Sequence, residues 1–245
     1  MIMGAWGLGG KKAPTAKSYV QDGLIAMWDG IENVGFGVRD TSSAKWYDIV
    51  NPNKSGFSIV SGQSFWGETS FDFNDTFEGS GASAGLYRFN SSDFSVGGTM
   101  EICLKLHSVT DSAATIFGTC VGGGGLVFGY NSPWNQHYYF YVNPMSNYPY
   151  YNPSFVGSGE MRTFSNSTDN LESYGRMFVN GNVVKEANTT LSYSGNYACR
   201  IASNYAGASS KTNASVHNIR IYSRALTEAE IAANYAVDKE RFNLP

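Results

Sequence analysis

One stretch near the C-terminus limits what this chain can become more than any other. Residues 216–222 read Val-His-Asn-Ile-Arg-Ile-Tyr, a mixture of β-branched and aromatic side chains that suits a pleated, half-buried surface. A Ser-Arg-Ala-Leu corner follows, and then a run from Thr227 to about Lys239. Thr227 and Glu230 have the spacing of a capping box, in which the hydroxyl accepts from a first-turn N–H and the carboxylate accepts from the Thr N–H. Leu226 and Ile231 occupy the two positions of a hydrophobic staple. Glu228 and Glu230 lie at the positive end of the helix dipole, Lys239 and Arg241 at the negative end. These signals predict a strand, a tight corner and a short capped helix. Its apolar side is Leu226, Ile231 and Tyr235, it frays from about Asp238, and it covers an edge or end of the fold.

The rest of the chain is written for strands. Of 245 residues only 15% are charged, while Gly numbers 28 and Tyr plus Phe 31, which favours short strands joined by many turns. At this length one sandwich with a sizeable core is the natural expectation. Residues 98–107 alternate cleanly: Met100, Ile102, Leu104 and Leu106 take one face, and Glu101, Cys103, Lys105 and His107 the other. The first face belongs in the core; the second, being polar, is expected to line an open sheet face. Strands are also expected at 23–29, with Trp28 a core anchor, at 46–49, 57–60 and 71–73, and at 114–121, 126–130 and 137–142. Others are expected from 160, before a turn at 166–170, and at 198–202. Asn180-Gly181 between 177–179 and 183–185 is a two-residue hairpin signal of the primed type.

Three segments resemble a known family. Residues 219–231 (IRIYSRALTEAEI), 23–30 (GLIAMWDG) and 177–184 (MFVNGNVV) resemble the closing strand and helix, the opening strand and the late V-N-G hairpin of laminin-G-like, concanavalin-A-like jelly-roll domains from bacterial and phage proteins. The resemblance implies an all-β chain: a two-sheet antiparallel jelly-roll sandwich with a short C-terminal helix. It also implies that the closing strand lies beside the opening one. The division follows as an N-terminal arm at 1–20, the sandwich at 21–226, and a capping helix and tail at 227–245.

Composition excludes several roles. A formal net charge of −3 without a basic cluster leaves no electrostatic footprint for nucleic acid. No apolar run approaches the roughly 20 residues needed to cross a bilayer, so membrane insertion is not expected. The first twelve residues place their charge after the apolar part, the reverse of a secretory signal. Cys103, Cys120 and Cys199 have neither a disulfide framework nor metal spacing and read as reduced core residues.

Catalytic signatures are equally thin. No Gly-x-Ser-x-Gly elbow or His-Glu-x-x-His motif occurs. A retaining glycosidase needs two carboxylates roughly 5 Å apart. Glucanases of similar architecture place them on one strand as Glu-x-Asp-x-x-Glu. Here Glu101 is followed at that spacing by Cys103, with Lys105 beyond, so the constellation is absent and no enzyme is expected.

The unusual chemistry lies at 112–159, which contains no Asp, Glu, Lys or Arg. Trp134, Tyr138, Tyr139, Tyr141, Tyr148, Tyr150 and Tyr151 alternate there with Asn, Ser and four prolines. Flat aromatic faces stack on sugar rings, and their polar tips bind hydroxyls without charge. The same residues suit a dry protein interface or simple packing filler, and the neutral segment argues against acidic ligands. No organic cofactor is called for. Asp72, Asn74, Asp75 and Glu78 form an oxygen-rich turn that suits calcium or plain solvent, without EF-hand spacing. Trp6 and Leu8 are the anchors expected for an arm that docks on its own domain or on another subunit.

Three readings therefore compete: a non-catalytic glycan-binding or adhesion module, plausibly displayed on a phage particle; a structural or decoration protein assembling with other subunits, as a homo-oligomer or in a virion; and a glycoside hydrolase, disfavoured by the missing carboxylate pair. A virion is the expected location, with a bacterial cell surface or the extracellular space as the alternative.

Overall fold

The computed structural model describes residues 13–54, 56–74, 80–81, 89–109, 113–118, 126–131, 137–142, 150–151, 160–191, 199–202 and 212–244. In chain order the first strands are β1 (Leu24–Asp29), β2 (Lys45–Trp46), β3 (Phe57–Ser58), β4 (Ser64–Trp66), β5 (Phe71–Phe73) and β6 (Ser80–Gly81). The long strand β7 (Gly97–Val109) precedes β8 (Ala113–Gly118), β9 (Leu126–Asn131), β10 (His137–Val142) and β11 (Tyr150–Tyr151). Then come β12 (Met161–Asp169), β13 (Tyr174–Val179), β14 (Asn182–Asn188), β15 (Arg200–Ile201), β16 (Thr212–Tyr222) and the helix α1 (Glu228–Phe242).

Two antiparallel sheets form the sandwich. The first runs β14-β13-β12-β7-β16-β5-β4, with β1 also paired to β16. The second runs β11-β10-β9-β8-β15-β6, and β2-β3 is a small separate ribbon. Closing and opening strands lie side by side as expected, from Leu24 opposite Tyr222 to Asp29 opposite Asn218.

The core lies between the sheets. Met100, Ile102, Leu104 and Leu106 all point into it and are at most 3% exposed. They meet Ile116, Phe117, Phe128 and Ile201 from the second sheet, with Trp28 and Trp46 fully buried among them. Trp46 stacks on Phe71 at 5.1 Å with an interplanar angle of 9°. Its indole N–H donates to the Asp29 carbonyl at 2.9 Å, which satisfies the ring's polar edge.

β16 carries a bulge that matters for everything built on it. Its register with β7 shifts between Val216 and Asn218, leaving His217 outside the ladder, with its carbonyl accepting from Gly30 N–H at 2.7 Å. One extra residue reverses the parity of the strand. Ala214, Val216, Ile219 and Ile221 thereby all face the core, and Asn218, Arg220 and Tyr222 face the opposite side.

The helix corrects several expectations. Its start is as expected: Thr227 Oγ1 accepts from Glu230 N–H, Thr227 N–H donates to the Glu230 carboxylate at 2.8 Å, and Leu226 packs with Ile231. It does not fray at Asp238 but continues to Phe242 and ends on Asn243, which takes the left-handed conformation at φ 53°. It reaches the edge strand β14, as expected, but covers more than an edge. Its buried residues, Ile231, Asn234, Asp238 and Phe242, contact β16, β7 and β12 across the outer face of the first sheet. Half of that buried stripe is polar, so the apolar pattern alone misses it. The polar face of β7 is consequently covered by α1 only in its first half: Glu101 and Cys103 are fully buried, whereas Lys105 is half-buried and His107 is exposed as expected.

Three smaller differences have local causes. The expected turn at 166–170 is instead the second half of β12, with the turn beginning after Asp169. Its polar side chains are satisfied inside the fold: Ser167 donates to the Leu226 carbonyl at 2.8 Å and Asn166 to the Arg176 carbonyl at 3.2 Å. The strand expected at 198–202 shortens to Arg200–Ile201, because Ala202 turns to φ 50°. The strands expected at 46–49 and 57–60 reduce to the two-residue pair Lys45–Trp46 and Phe57–Ser58. At the β13–β14 hairpin Asn180 and Gly181 have φ 51° and 77°, the conformation that a primed turn requires. Among the described residues no helix is long and apolar enough to cross a membrane.

Candidate functional site

On the outer face of the first sheet a charged cluster is closed under α1. Arg220 Nη1 and Nη2 donate to the two oxygens of Asp238 at 2.6 and 2.9 Å, and Arg220 Nε donates to Glu101 at 3.0 Å. Asp238 also accepts from Tyr19, Asn218 and Thr163, each at 2.8 Å. Glu101 accepts from Asn234 at 2.6 Å and Ser165 at 2.9 Å. Beside this group Arg241 donates to Asp29 at 2.6 and 2.9 Å.

The two acids around Arg220 are not equivalent. Burial raises the Glu101 carboxyl, and the Arg220 charge offsets this only in part. Burial pushes Asp238 upward too, but there the Arg220 charge and the hydrogen bonds from Arg220, Asn218 and Tyr19 win, and its carboxyl is lowered. The bidentate contact explains the difference, since two parallel charge-assisted bonds outweigh one. Glu101 has no exposed surface and both oxygens engaged, so it cannot meet a substrate. This cluster clamps the helix to the sheet.

The N-terminal segment joins the same clamp. Tyr19 stacks over Arg220 at 4.1 Å, and Ala16 and Tyr19 pack with Met27 and Ile49. Thus 13–20 rests on its own domain. Trp6 and Leu8 lie outside the described residues.

The strands of the second sheet carry a single charged residue, Arg200. The sheet's orientation follows from Phe128, Phe117 and Ile201, which are fully buried in the core. Phe140 stands opposite Phe128, and Tyr139 stands opposite Gly129 on one side and Tyr150 on the other. Alternation gives Tyr139, Tyr141 and Tyr150 the positions of the outer face, while Tyr138 and Tyr151, opposite each other, share the parity of the core face. The strand expected at 137–142 is present, and Tyr150–Tyr151 forms the short edge strand that a Pro-rich segment allows. Trp134 and Tyr148 lie outside the described residues.

Two of the four oxygen ligands considered for calcium are described, and each serves its own turn. Asp72 accepts from Ser70 Oγ at 2.6 Å, and Asn74 donates to the Gly62 carbonyl at 3.0 Å. Asp75 and Glu78 lie outside the described residues. Among the described residues no three His, Cys, Asp or Glu gather as metal ligands. Cys103 and Cys199 are free and buried, with their thiols pushed up by burial.

One residue of the second sheet escapes the sequence reading. β15 pairs with β8 through Arg200 opposite Gly118 and Ile201 opposite Phe117. Ile201 is core, so Arg200 takes the outer position. The available signal was only the Arg-Ile alternation itself; nothing local links it to a tyrosine strand some 60 residues away in the chain.

The sequence profile of the concanavalin A-like lectin/glucanases superfamily matches residues 79–232. The chain belongs to this superfamily. Its structural neighbours include the sialidase of Trypanosoma rangeli, with a TM-score of 0.58 at 14% identity, over 89% of this chain and 33% of that one. The binding domain of Paraclostridial Mosquitocidal Protein 1 aligns with a TM-score of 0.58 at 12% identity, over 87% of this chain and 52% of that one. The chain thus spans about a third of the sialidase and half of the toxin fragment, and at these identities the likeness concerns the fold. No curated protein sequence matches it. The fold hosts both binding and catalysis, so function must be argued from the site.

Proposed function

We propose that this chain is a non-catalytic recognition module that binds carbohydrate on the outer face of its second sheet. The observation that carries the reading is the register of β9, β10 and β11, which gathers Tyr139, Tyr141 and Tyr150 onto outer positions of one sheet edge. Tyrosine combines a flat apolar ring with a hydroxyl tip, the combination a sugar's two chemistries ask for. Supporting it, the acid first tested for catalysis, Glu101, is consumed by the clamp on the other sheet. Membership in a superfamily named for lectins and glucanases, and the likeness to a toxin's binding domain, agree with a binding role.

The test is a glycan array read with and without added calcium, on the wild-type chain and on Tyr139→Ala and Trp134→Ala. The reading expects hits that both substitutions abolish while the melting temperature stays within 2–3 °C or so of wild type. An array without hits under either condition overturns it and redirects attention to assembly with protein partners.

A further inference from the structure

Beyond Cys103 the outer face of the first sheet opens to solvent. Register sets five residues in one row across it. Phe65 on β4 stands opposite Asp72 on β5, Asp72 opposite Ser215 on β16, Ser215 opposite Lys105 on β7, and Lys105 opposite Met161 on β12. They take the outer side because their chain neighbours Phe71, Phe73, Val216 and Leu104 point into the core. The bulge at His217 puts Ser215 there: it reverses the parity of β16, so that Asn218 faces outward under the helix and Ser215 faces outward beyond it. Phe65 is 53% exposed, and Asp72, Ser215, Lys105 and Met161 are half-buried. His107, exposed beside the row, pairs through Nε2 with Ser215 Oγ at 3.0 Å.

Two charges in the row lack partners. Ser70 Oγ donates to Asp72 Oδ1 at 2.6 Å, and Gly67 packs so closely that a Cβ added there would lie 2.5 Å from Oδ2. The carboxylate is thus fixed in place, yet Oδ2 accepts no hydrogen bond among the described residues. Lys105 has neither a hydrogen bond nor an acidic partner among them, although it is half-buried. Partial desolvation and the Lys105 charge hold the His107 pKa below the ordinary histidine value, so its ring is neutral near pH 7.

This arrangement selects among ligand classes. Asp72 and Lys105 cancel, which leaves the row without a net pull on a simple ion. Protein interfaces place apolar groups at the centre and charges at the rim. Here the order is reversed, with Asp72, Ser215 and Lys105 in the middle and Phe65 and Met161 at the ends. A carboxylate only accepts, an ammonium only donates, and the hydroxyl between them does both. A ligand that donates and accepts along its whole length satisfies all three, and the exposed phenyl offers a flat apolar face beside them. Three strand steps of about 4.8 Å separate Phe65 from Lys105, roughly 14 Å between Cα positions, room for more than one sugar ring.

We propose that this row is a second carbohydrate site, which takes a neutral oligosaccharide lying across the strands, with Phe65 against one ring and Asp72, Ser215 and Lys105 on its hydroxyls. The proposal rests on the carbohydrate reading above for its ligand class. It gives the chain two sites, one on each sheet.

The experiment is calorimetric titration of the whole chain with cellohexaose, xylohexaose, mannohexaose and maltohexaose. Wild type is compared with Phe65→Ala, Lys105→Met, Tyr139→Ala and the double variant Phe65→Ala with Tyr139→Ala. The proposal expects two ligands per chain for at least one oligosaccharide, one in Phe65→Ala, Lys105→Met or Tyr139→Ala, and none in the double variant. Binding lost in Tyr139→Ala alone, and unchanged in Phe65→Ala and Lys105→Met, overturns the inference while the carbohydrate reading survives. Binding lost in Phe65→Ala and Lys105→Met alone upholds the row and removes the tyrosine face instead. Should no oligosaccharide bind wild type, the inference falls, and the array decides the broader reading separately. Phe65 faces solvent and Lys105 lies outside the core, so the melting temperature of each variant should match wild type and separate lost binding from lost folding.

Discussion

Arg220 and Asp238 face each other in a two-bonded ion pair, at 2.6 and 2.9 Å, with neither side chain exposed to solvent. The pair fastens the C-terminal helix to a central strand of the first sheet. Burying two charges is costly, and here the cost is offset by geometry and by three further donors to Asp238. Breaking such a pair leaves an uncompensated charge in the interior. Asp238→Asn is therefore expected to cost about 3–5 kcal/mol, read as a fall in the urea midpoint at unchanged slope. Glu101→Gln should cost far less, on the order of 1 kcal/mol, because its carboxyl is already raised by burial and Arg220 keeps its bidentate partner. Equal losses in the two variants would refute this division of labour.

A pH effect follows from His217. The bulge in β16 buries its ring beside Phe242, with Nδ1 paired to Thr69 Oγ1 at 2.9 Å and Nε2 lacking a partner among the described residues. Burial holds its pKa down to about 4, against about 6.5 in an unfolded chain. The unfolded state thus takes up a proton that the folded state refuses. The contribution is complete above about pH 6.5 and is lost as pH falls toward 4, on the order of 3 kcal/mol over that window. Chemical denaturation at pH 7.5 and 4.5 should show the loss, and His217→Gln should flatten it. A variant with the same pH slope as wild type would place the effect elsewhere.

The helix cap gives a smaller and separable effect. Thr227→Ala removes the acceptor for Glu230 N–H and should cost about 1 kcal/mol. Because the cap lies beside Thr99, toward the other end of β7 from Lys105, and the tyrosine positions belong to the second sheet, affinity for any glycan should be unchanged. A parallel loss of binding would show that the cap and the ligand sites are coupled.

The hairpin tip offers a steric check. Gly181 has φ 77°, and a Cβ added there would lie 3.1 Å from the Tyr235 ring. Gly181→Ala should destabilise by about 1 kcal/mol or more, measured by thermal melting, and Asn180→Gly should be tolerated far better.

Much of the fold was legible because its signals are local. Alternation at Met100, Ile102, Leu104 and Leu106 marked the core face, and Thr227 with Glu230 marked the helix start. The apolar positions 214, 216, 219 and 221 even record the bulge, since strict alternation breaks between 216 and 219. The site was less legible. Tyr139 and Tyr141 announced themselves by composition, but their grouping with Tyr150 and the approach of Arg200 depend on strand pairing. The Glu101 and Cys103 positions of β7 were misread because their cover is itself half polar: Asn234 and Asp238 lie buried beside Ile231.

By itself, then, the sequence determined which residues alternate, which turns can form, where the helix begins, and that a long segment carries no charge. Each is a property of neighbours in the chain. Only the tertiary structure decided where the charged residues of the first sheet go. Arg220 meets Asp238 across 18 residues and Glu101 across 119, and buried charges choose partners by distance in space, where the low dielectric makes each contact count. That choice closed Glu101, Arg220 and Asp238 under the helix, while the register of β9, β10 and β11 set the tyrosine positions on the other sheet.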